Sequence, residues 1–300
     1  MKKRFIIFLL TVFSLSSLFS AGAKEEINYS QSVEFVDSYN RNVQISKNPK
    51  RIISLGPNIT EIIGELDIDK LVGRTDYCDY PLQVLDIESI GSITNANIEK
   101  IISLEPDLVI SSVHCPKELL ENLTKMGIPS IAIYDDNSLK GSNNIIYKIG
   151  TILGKQEKAN RIIQANDELI KQIISKTKDL EKKSVYYALG FGEWGDFTAG
   201  GDTFIGEMIN LVSGINIAED VMGWNYSIEQ LIDKDPEIII VSKYFDSKNQ
   251  IMNTKPYTSL AAVKENRVYE IDNNLLDRQG IRNAQGILEL AKIIHQNEFK

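Results

Sequence analysis

Glu99 and Glu229 stand at the same place in a sentence that the chain writes twice. Asn97–Ser112 reads NIEKIISLEPDLVISS and Ser227–Ser242 reads SIEQLIDKDPEIIIVS, with six of the sixteen positions identical. A carboxylate near a helix start answers the helix macrodipole. It also suits bidentate contact with arginine and electrostatic steering of a partner. Its presence in both copies, where many flanking polar residues differ, favours the partner-facing use. A duplicated contact residue points to a partner that itself comes in two copies.

A second group of chemically capable residues falls in loops: Asn58, Tyr77, Tyr80, His114, Trp194, Trp224, Tyr226, Asp277 and Arg278. Broad aromatic faces suit a flat, partly apolar macrocycle such as a corrin or porphyrin. Burial in a core is the rival use of each aromatic residue. Trp224, between Gly223 and Asn225 just before a helix, has the most loop-like company. Arg278 and Arg282 suit amide or phosphate oxygens of a ligand, or pairing with Asp inside the fold. Gly56-Pro57-Asn58 and Gly200-Gly201-Asp202 each precede a helix. Their N–H groups suit polar ligand atoms, and tight turns use the same residues.

Other chemistries find little support. The chain has only two histidines, so a three-His metal site is impossible, and no metal ion or cofactor is expected. His114 is the one histidine placed to serve as an axial ligand to haem iron or cobalt, and His295 lies far along the chain from any motif. Glu193 and Asp196 have the look of an acid/base pair. There is no Gly-x-Ser-x-Gly, Walker loop or metal signature beside them, so no enzyme is expected.

The elements that position these residues can be read from periodicity. Gln31–Val36 and Asn42–Ile45 form a hairpin, and Arg51–Leu55 a strand. Asn58 as N-cap with Glu61 three residues on makes a capping box, opening a helix with Ile59, Ile62, Ile63 and Leu66 on one stripe. Leu71–Thr75 is a strand, followed by the first repeat unit: a short helix, a Pro-bearing turn and an apolar strand. A helix closed by Gly127 and a strand over Pro129–Tyr134 complete a first lobe. Gln156–Leu180 contains no Gly or Pro and spans roughly 35–40 Å as a helix. Strand–helix alternation then restarts with Ser184–Leu189, a helix from Thr203, the second repeat unit, Arg267–Ile271 and a C-terminal helix. Ile63-Gly64-Glu65-Leu66 echoes Ile205-Gly206-Glu207-Met208. The expected fold class is therefore α/β: two similar parallel-sheet, Rossmann-like lobes joined by one long helix, with a ligand cleft between them at the carboxyl ends of the strands. The expected division is a signal peptide at 1–23, lobes at 24–142 and 183–300, and a helical segment at 143–182.

Lys2, Lys3 and Arg4, the apolar run Phe5–Phe13 and Ala21-Gly22-Ala23 form a cleavable export signal, with no cysteine at the cleavage site. A soluble, monomeric periplasmic or extracytoplasmic product is expected. With 33 Lys and Arg against 41 Asp and Glu, and no basic run beyond the signal, nucleic acid is excluded as a partner. Cys78 and Cys115 each follow a strand of the first lobe, so a disulfide between them is one expectation and two separate thiols the other.

RIISLGPNITEII, LVGRTDYCDYP and NIEKIISLEPDLVIS resemble the N-lobe of periplasmic substrate-binding proteins of the cobalamin and iron-siderophore ABC importers. TAGGDTFIGEMI, SIEQLIDKDPEIIIVS, PYTSLAAVKENRVYEID and RQGIR resemble their C-lobe, so the resemblance runs from about Lys50 to His295. It implies two α/β lobes on one long helix, capture of a large chelate and delivery to a membrane permease. It also implies that Glu99 and Glu229, on the outer tips of the lobes, pair with arginines of a permease dimer. The segment Tyr77–Pro81 looks most like the cobalamin-binding members, so a corrinoid is the first expected cargo, with a ferric siderophore or haem second.

Overall fold

A computed structural model describes residues 32–193 and 195–299. The expected signal peptide and Trp194 lie outside the described residues. β1 (Ser32–Val36) and β2 (Asn42–Ser46) form an antiparallel hairpin. The first lobe continues with β3 (Ile52–Ser54), α1 (Pro57–Asp67), β4 (Leu71–Arg74), α2 (Ile98–Ser103), β5 (Leu108–Ser111), α3 (Lys117–Lys125) and β6 (Ser130–Ala132). Two helices follow, α4 (Leu139–Ile152) and α5 (Gln156–Thr177). The second lobe comprises β7 (Lys183–Ala188), β8 (Asp196–Phe197), α6 (Phe204–Leu211), β9 (Gly214–Asn216), β10 (Asn225–Tyr226), α7 (Ile228–Lys234) and β11 (Ile238–Ser242). It ends with α8 (Ser247–Asn253), α9 (Ala261–Lys264), β12 (Val268–Ile271), α10 (Asn274–Asp277) and α11 (Asn283–Ile294).

The two lobes share one topology. Their sheets run β4-β3-β5-β6 and β9-β7-β11-β12, all parallel. In each, the chain supplies the strands in the spatial order second, first, third, fourth. The order reverses between the first and third strands, and the crevice beyond their carboxyl ends is where such sheets hold ligands. The third strand is the repeat strand, β5 or β11. Its Leu108–Ser111 and Ile238–Val241 runs are wholly buried, as a strand covered on both faces must be.

The repeat also explains its own boundaries. Asn97 caps α2 by accepting from Lys100 N at 3.0 Å, and Ser227 caps α7 by accepting from Gln230 N at 3.3 Å. Glu105 and Asp235, each just before the proline, take left-handed φ of 47° and 36°, which reverses the chain into the strand. One position after the proline, Asp107 accepts the N–H groups of Lys50 and Arg51, and Glu237 accepts that of Ser184. Each carboxylate thereby ties the repeat turn to the start of its lobe's first strand.

Each lobe has its own apolar core, and α5 serves both. Ile162 and Ile163 pack against the first lobe, and Leu169, Ile170, Ile173 and Ile174 against the second. The 22 residues of α5 span about 33 Å. Asp37 fixes the hairpin: its buried carboxylate accepts from Tyr39 N, Arg41 N, the Arg41 guanidinium and Ala132 N, at the end of β6.

Candidate functional site

The loops at the carboxyl ends of the strands carry exposed aromatic side chains on both lobes. On the first lobe, the loop after β4 presents Tyr77 (61% exposed) and Tyr80. On the second, Trp224 (39% exposed) precedes β10, which pairs with β8; its carbonyl accepts Thr198 N at 2.8 Å. The ribbon is braced from below. Tyr257 Oη donates to Asp196 Oδ1 at 2.7 Å and accepts Gly192 N at 2.8 Å, so Gly192 and the start of β8 share one anchor. Burial pushes the Asp196 carboxyl above its ordinary value, although the Tyr257 hydrogen bond opposes this. The carboxylate considered for acid/base work is thus committed to a structural bond.

The remaining residues expected in the cleft divide by what they touch. Tyr226 is half-buried in the second lobe: its hydroxyl donates to Ile217 O at 3.2 Å and its ring lies 5.9 Å from that of Tyr186. Asp277 accepts from Tyr187 Oη at 3.2 Å and from Asn273 Nδ2 at 2.6 Å. His114 is exposed on the loop after β5, whereas His295 is buried with Nε2 2.7 Å from Val212 O. Gly200 and Gly201 do not offer free N–H groups: they donate to Gly223 O at 3.0 Å and Val221 O at 2.9 Å. A Cβ on Gly201 would stand 2.0 Å from Glu219 O. The glycine pair therefore clamps the turn that presents Trp224.

One buried cluster joins the lobes, and sequence reading assigned its central residue elsewhere. The N-cap position of α1 is Gly56, with Pro57 first in the helix, so Asn58 is inside it and makes no cap. Asn58 Nδ2 instead donates to Gln279 O at 3.2 Å, across the lobes. Glu61 makes no capping box. It is 1% exposed and meets two arginines from the segment before α11. Arg278 Nη1 lies 2.8 Å from Oε1 and Arg282 Nε 2.8 Å from Oε2, and Arg282 Nη2 also binds Oε1. Arg278 further holds Asp79 at 2.6 Å and the Tyr77 carbonyl at 3.2 Å, and the Arg282 guanidinium sits 4.2 Å over the Tyr80 ring. Arg278, expected to meet ligand, thus spends its donors on the loop that carries Tyr77 and Tyr80. The signal for Glu61 was present: it is an acid among buried Ile59, Ile62 and Ile63 on α1. Sequence reading also passed over Val113, Met222 and Phe245, exposed apolar residues on strand-end loops, because loops carry no periodicity.

The two thiols are free and buried separately, so the expected alternative of a Cys78–Cys115 disulfide is not formed. Cys78 Sγ lies 3.0 Å from Thr60 Oγ1 and 3.2 Å from Thr75 Oγ1, under the β4 loop. Cys115 packs into the core on the α3 side of the first sheet, where burial pushes its thiol up to about 11. Among the described residues no group of three or more His, Cys, Asp or Glu could hold a metal ion, and no helix is long and apolar enough to cross a membrane. Glu99 and Glu229 are both exposed, each the second residue of its helix. The Ser227 hydroxyl donates to Glu229 Oε2 at 2.6 Å and holds that carboxyl below its ordinary value.

Comparisons with known proteins agree with this architecture. The family described as periplasmic binding protein matches residues 52–275. An uncharacterised ABC transporter substrate-binding lipoprotein of Bacillus subtilis is 34% identical over 272 residues, covering 88% of this chain and 86% of that protein. A vitamin B12-binding protein of Vibrio campbellii is 30% identical over 250 residues, covering 81% and 88%. The crystal structure of a periplasmic haem-binding protein of Roseiflexus sp. RS-1, in apo form, aligns with a TM-score of 0.76 at 24% identity, covering 83% of this chain and 99% of that one. One expectation is corrected here. The Bacillus relative is a lipoprotein, so the reading of a freely soluble periplasmic product without a lipid-anchoring cysteine is withdrawn. Two lobes of like topology on one long helix, with a family match over most of that span, make this chain a member of the periplasmic binding protein family and an ABC transporter substrate-binding protein.

Proposed function

We propose that this protein captures a corrinoid between its lobes and hands it to an ABC permease dimer, breaking no bond itself. The observation that carries the reading is the pair of exposed aromatic presentations, Tyr77 with Tyr80 on one lobe and Trp224 on the other, at the carboxyl ends of two sheets of like topology. Flat aromatic faces bury a macrocycle at low entropic cost. Similarity to a vitamin B12-binding protein at 30% identity supports the same cargo. The lobes, residues 24–142 and 183–300, act as jaws, with 143–182 as the strut, and a single copy suffices. Glu99 and Glu229 dock the loaded protein, their carboxylates meeting arginines on the two permease subunits. Haem is the second reading, favoured by exposed His114 on the loop after β5, a residue able to ligate iron.

The test is a titration of the protein with cyanocobalamin, haemin and ferric siderophores, following Trp fluorescence. Saturable quenching by cyanocobalamin is expected. Trp224→Ala should weaken it about tenfold or more, since loss of a central aromatic anchor exceeds about 1.4 kcal/mol. A response to haemin alone would move the reading to haem. Silence toward every chelate would end it.

A further inference from the structure

Of the six positions identical between the two repeat copies, the fold accounts for four. Pro106 and Pro236, and Ile110 and Ile240, are buried in both lobes; Ile98 and Ile228 are half-buried; Ser112 and Ser242 lie against the ends of the repeat strands. The other two positions are exposed in both copies. One is the Glu99/Glu229 pair. The second is Ile102, 46% exposed, and its counterpart Ile232, 41% exposed. Neither isoleucine is among the side chains that build the apolar cores of the described residues, and the adjoining position varies between Ser103 and Asp233. Glu and Ile are three residues apart on a helix, which puts them on one face with Cβ atoms about 5–6 Å apart. Ile101 and Leu231 point the opposite face into the cores.

We propose that each lobe docks through a two-part knob, a carboxylate and an isoleucine side by side: Glu99 with Ile102, and Glu229 with Ile232. This rests on the reading that the two glutamates meet a permease dimer, and it adds what that partner must offer. Each permease subunit presents a cation beside an apolar socket, and the carboxylate steers while the isoleucine seats. The two contributions have opposite responses to salt. Screening weakens the steering by Glu. Burial of Ile is not screened, and excluded salts strengthen it. An isoleucine half-exposed in the free protein gains the rest of its burial on docking, about fivefold in affinity for each and about 25-fold for the pair.

The experiment measures binding of the fluorescently labelled protein to membrane vesicles of the producing organism lacking its own copy of this chain. Ile102→Ser with Ile232→Ser should lose about 25-fold in vesicle binding, with cyanocobalamin or haemin affinity and melting temperature unchanged. Ile102→Val with Ile232→Val, which keeps the apolar contact, should bind within about threefold of the parent. Raising the ionic strength should erase the difference between the parent and Glu99→Ala with Glu229→Ala, and preserve the deficit of the serine pair. If the serine pair binds like the parent while the alanine pair fails, docking through the glutamates stands and the isoleucine socket is overturned. If neither pair loses binding, the docking reading itself falls. If the serine pair loses chelate affinity or melts early, the isoleucines serve the fold and the inference is overturned.

Discussion

Glu61→Gln isolates the energetic role of the cluster between the lobes. The carboxylate is 1% exposed and takes three guanidinium hydrogen bonds from Arg278 and Arg282, both nearly buried. Removing one member of a buried ion pair costs about 3–5 kcal/mol, because the other charge is left without a partner. Glutamine keeps the volume and one acceptor, and Asp79 still neutralises Arg278. Arg282 loses its only carboxylate and keeps the amide oxygen and the face of Tyr80, the latter worth about 0.5–2 kcal/mol. The expected loss therefore sits at the lower end, about 3 kcal/mol. At about 2–4 °C per kcal/mol for a chain of this size, the melting temperature should fall by about 6–12 °C. Differential scanning calorimetry of the cargo-free protein reads this directly. Asp79→Asn is the comparison, because its carboxylate is half-exposed and its pair is worth less than about 1 kcal/mol. In a cycle with Arg282→Met, the two losses should fail to add by about 1–3 kcal/mol. A Glu61→Gln protein that melts with Asp79→Asn, or whose loss adds fully to that of Arg282→Met, would refute the reasoning.

Three further outcomes follow from separate features. Gly201→Ala places a Cβ against Glu219 O, so it should cost roughly 1–3 kcal/mol in urea unfolding and weaken cargo binding by displacing the Trp224 turn; unchanged stability and affinity would show that the clamp is slack. Native protein should leave a thiol reagent unreacted at pH 8, where about one Cys115 in a thousand is thiolate, and should titrate two thiols once unfolded; a single thiol or none in the unfolded, unreduced chain would reveal a disulfide. For Asp37, burial raises the carboxyl, but the Arg41 side chain and the Arg41 and Ala132 amides outweigh it and hold the group below its ordinary value. The fold thus favours the ionised form, so the stability advantage over Asp37→Asn should be full above about pH 4 and shrink as pH falls further. An advantage that grew toward low pH would contradict the sign.

Much of the architecture could be read from the chain because it is written locally. The repeat helix and strand are fixed by caps, a proline and an apolar run, all within sixteen residues. α5 lacks Gly and Pro, and its stripe of isoleucines marks one long helix with an apolar face, readable either as a strut between lobes or as a surface helix of one large domain. What escaped is set by contacts between distant segments. Glu61 fits a capping-box spacing, yet its partners lie 217 and 221 residues away, and no local pattern encodes that distance. Tyr226 and Trp224 are two residues apart and look alike in sequence; Tyr226, inside β10, packs beside Tyr186 and bonds Ile217 O, whereas Trp224, one residue before the strand, is exposed. β8 and β10 are two residues each, too short for any alternation to register. The glycines before α6 were ambiguous for a similar reason: whether an N–H is free depends on the turn at 221–223, which is specified elsewhere.

The burial of both thiols has a practical side. Met222, 77% exposed, stands two residues before Trp224. A cysteine placed there would be the first sulfur a maleimide dye meets, with neither native cysteine needing removal. The protein can thus be turned into an optical reporter by a single substitution, its colour change reading whatever enters between the lobes.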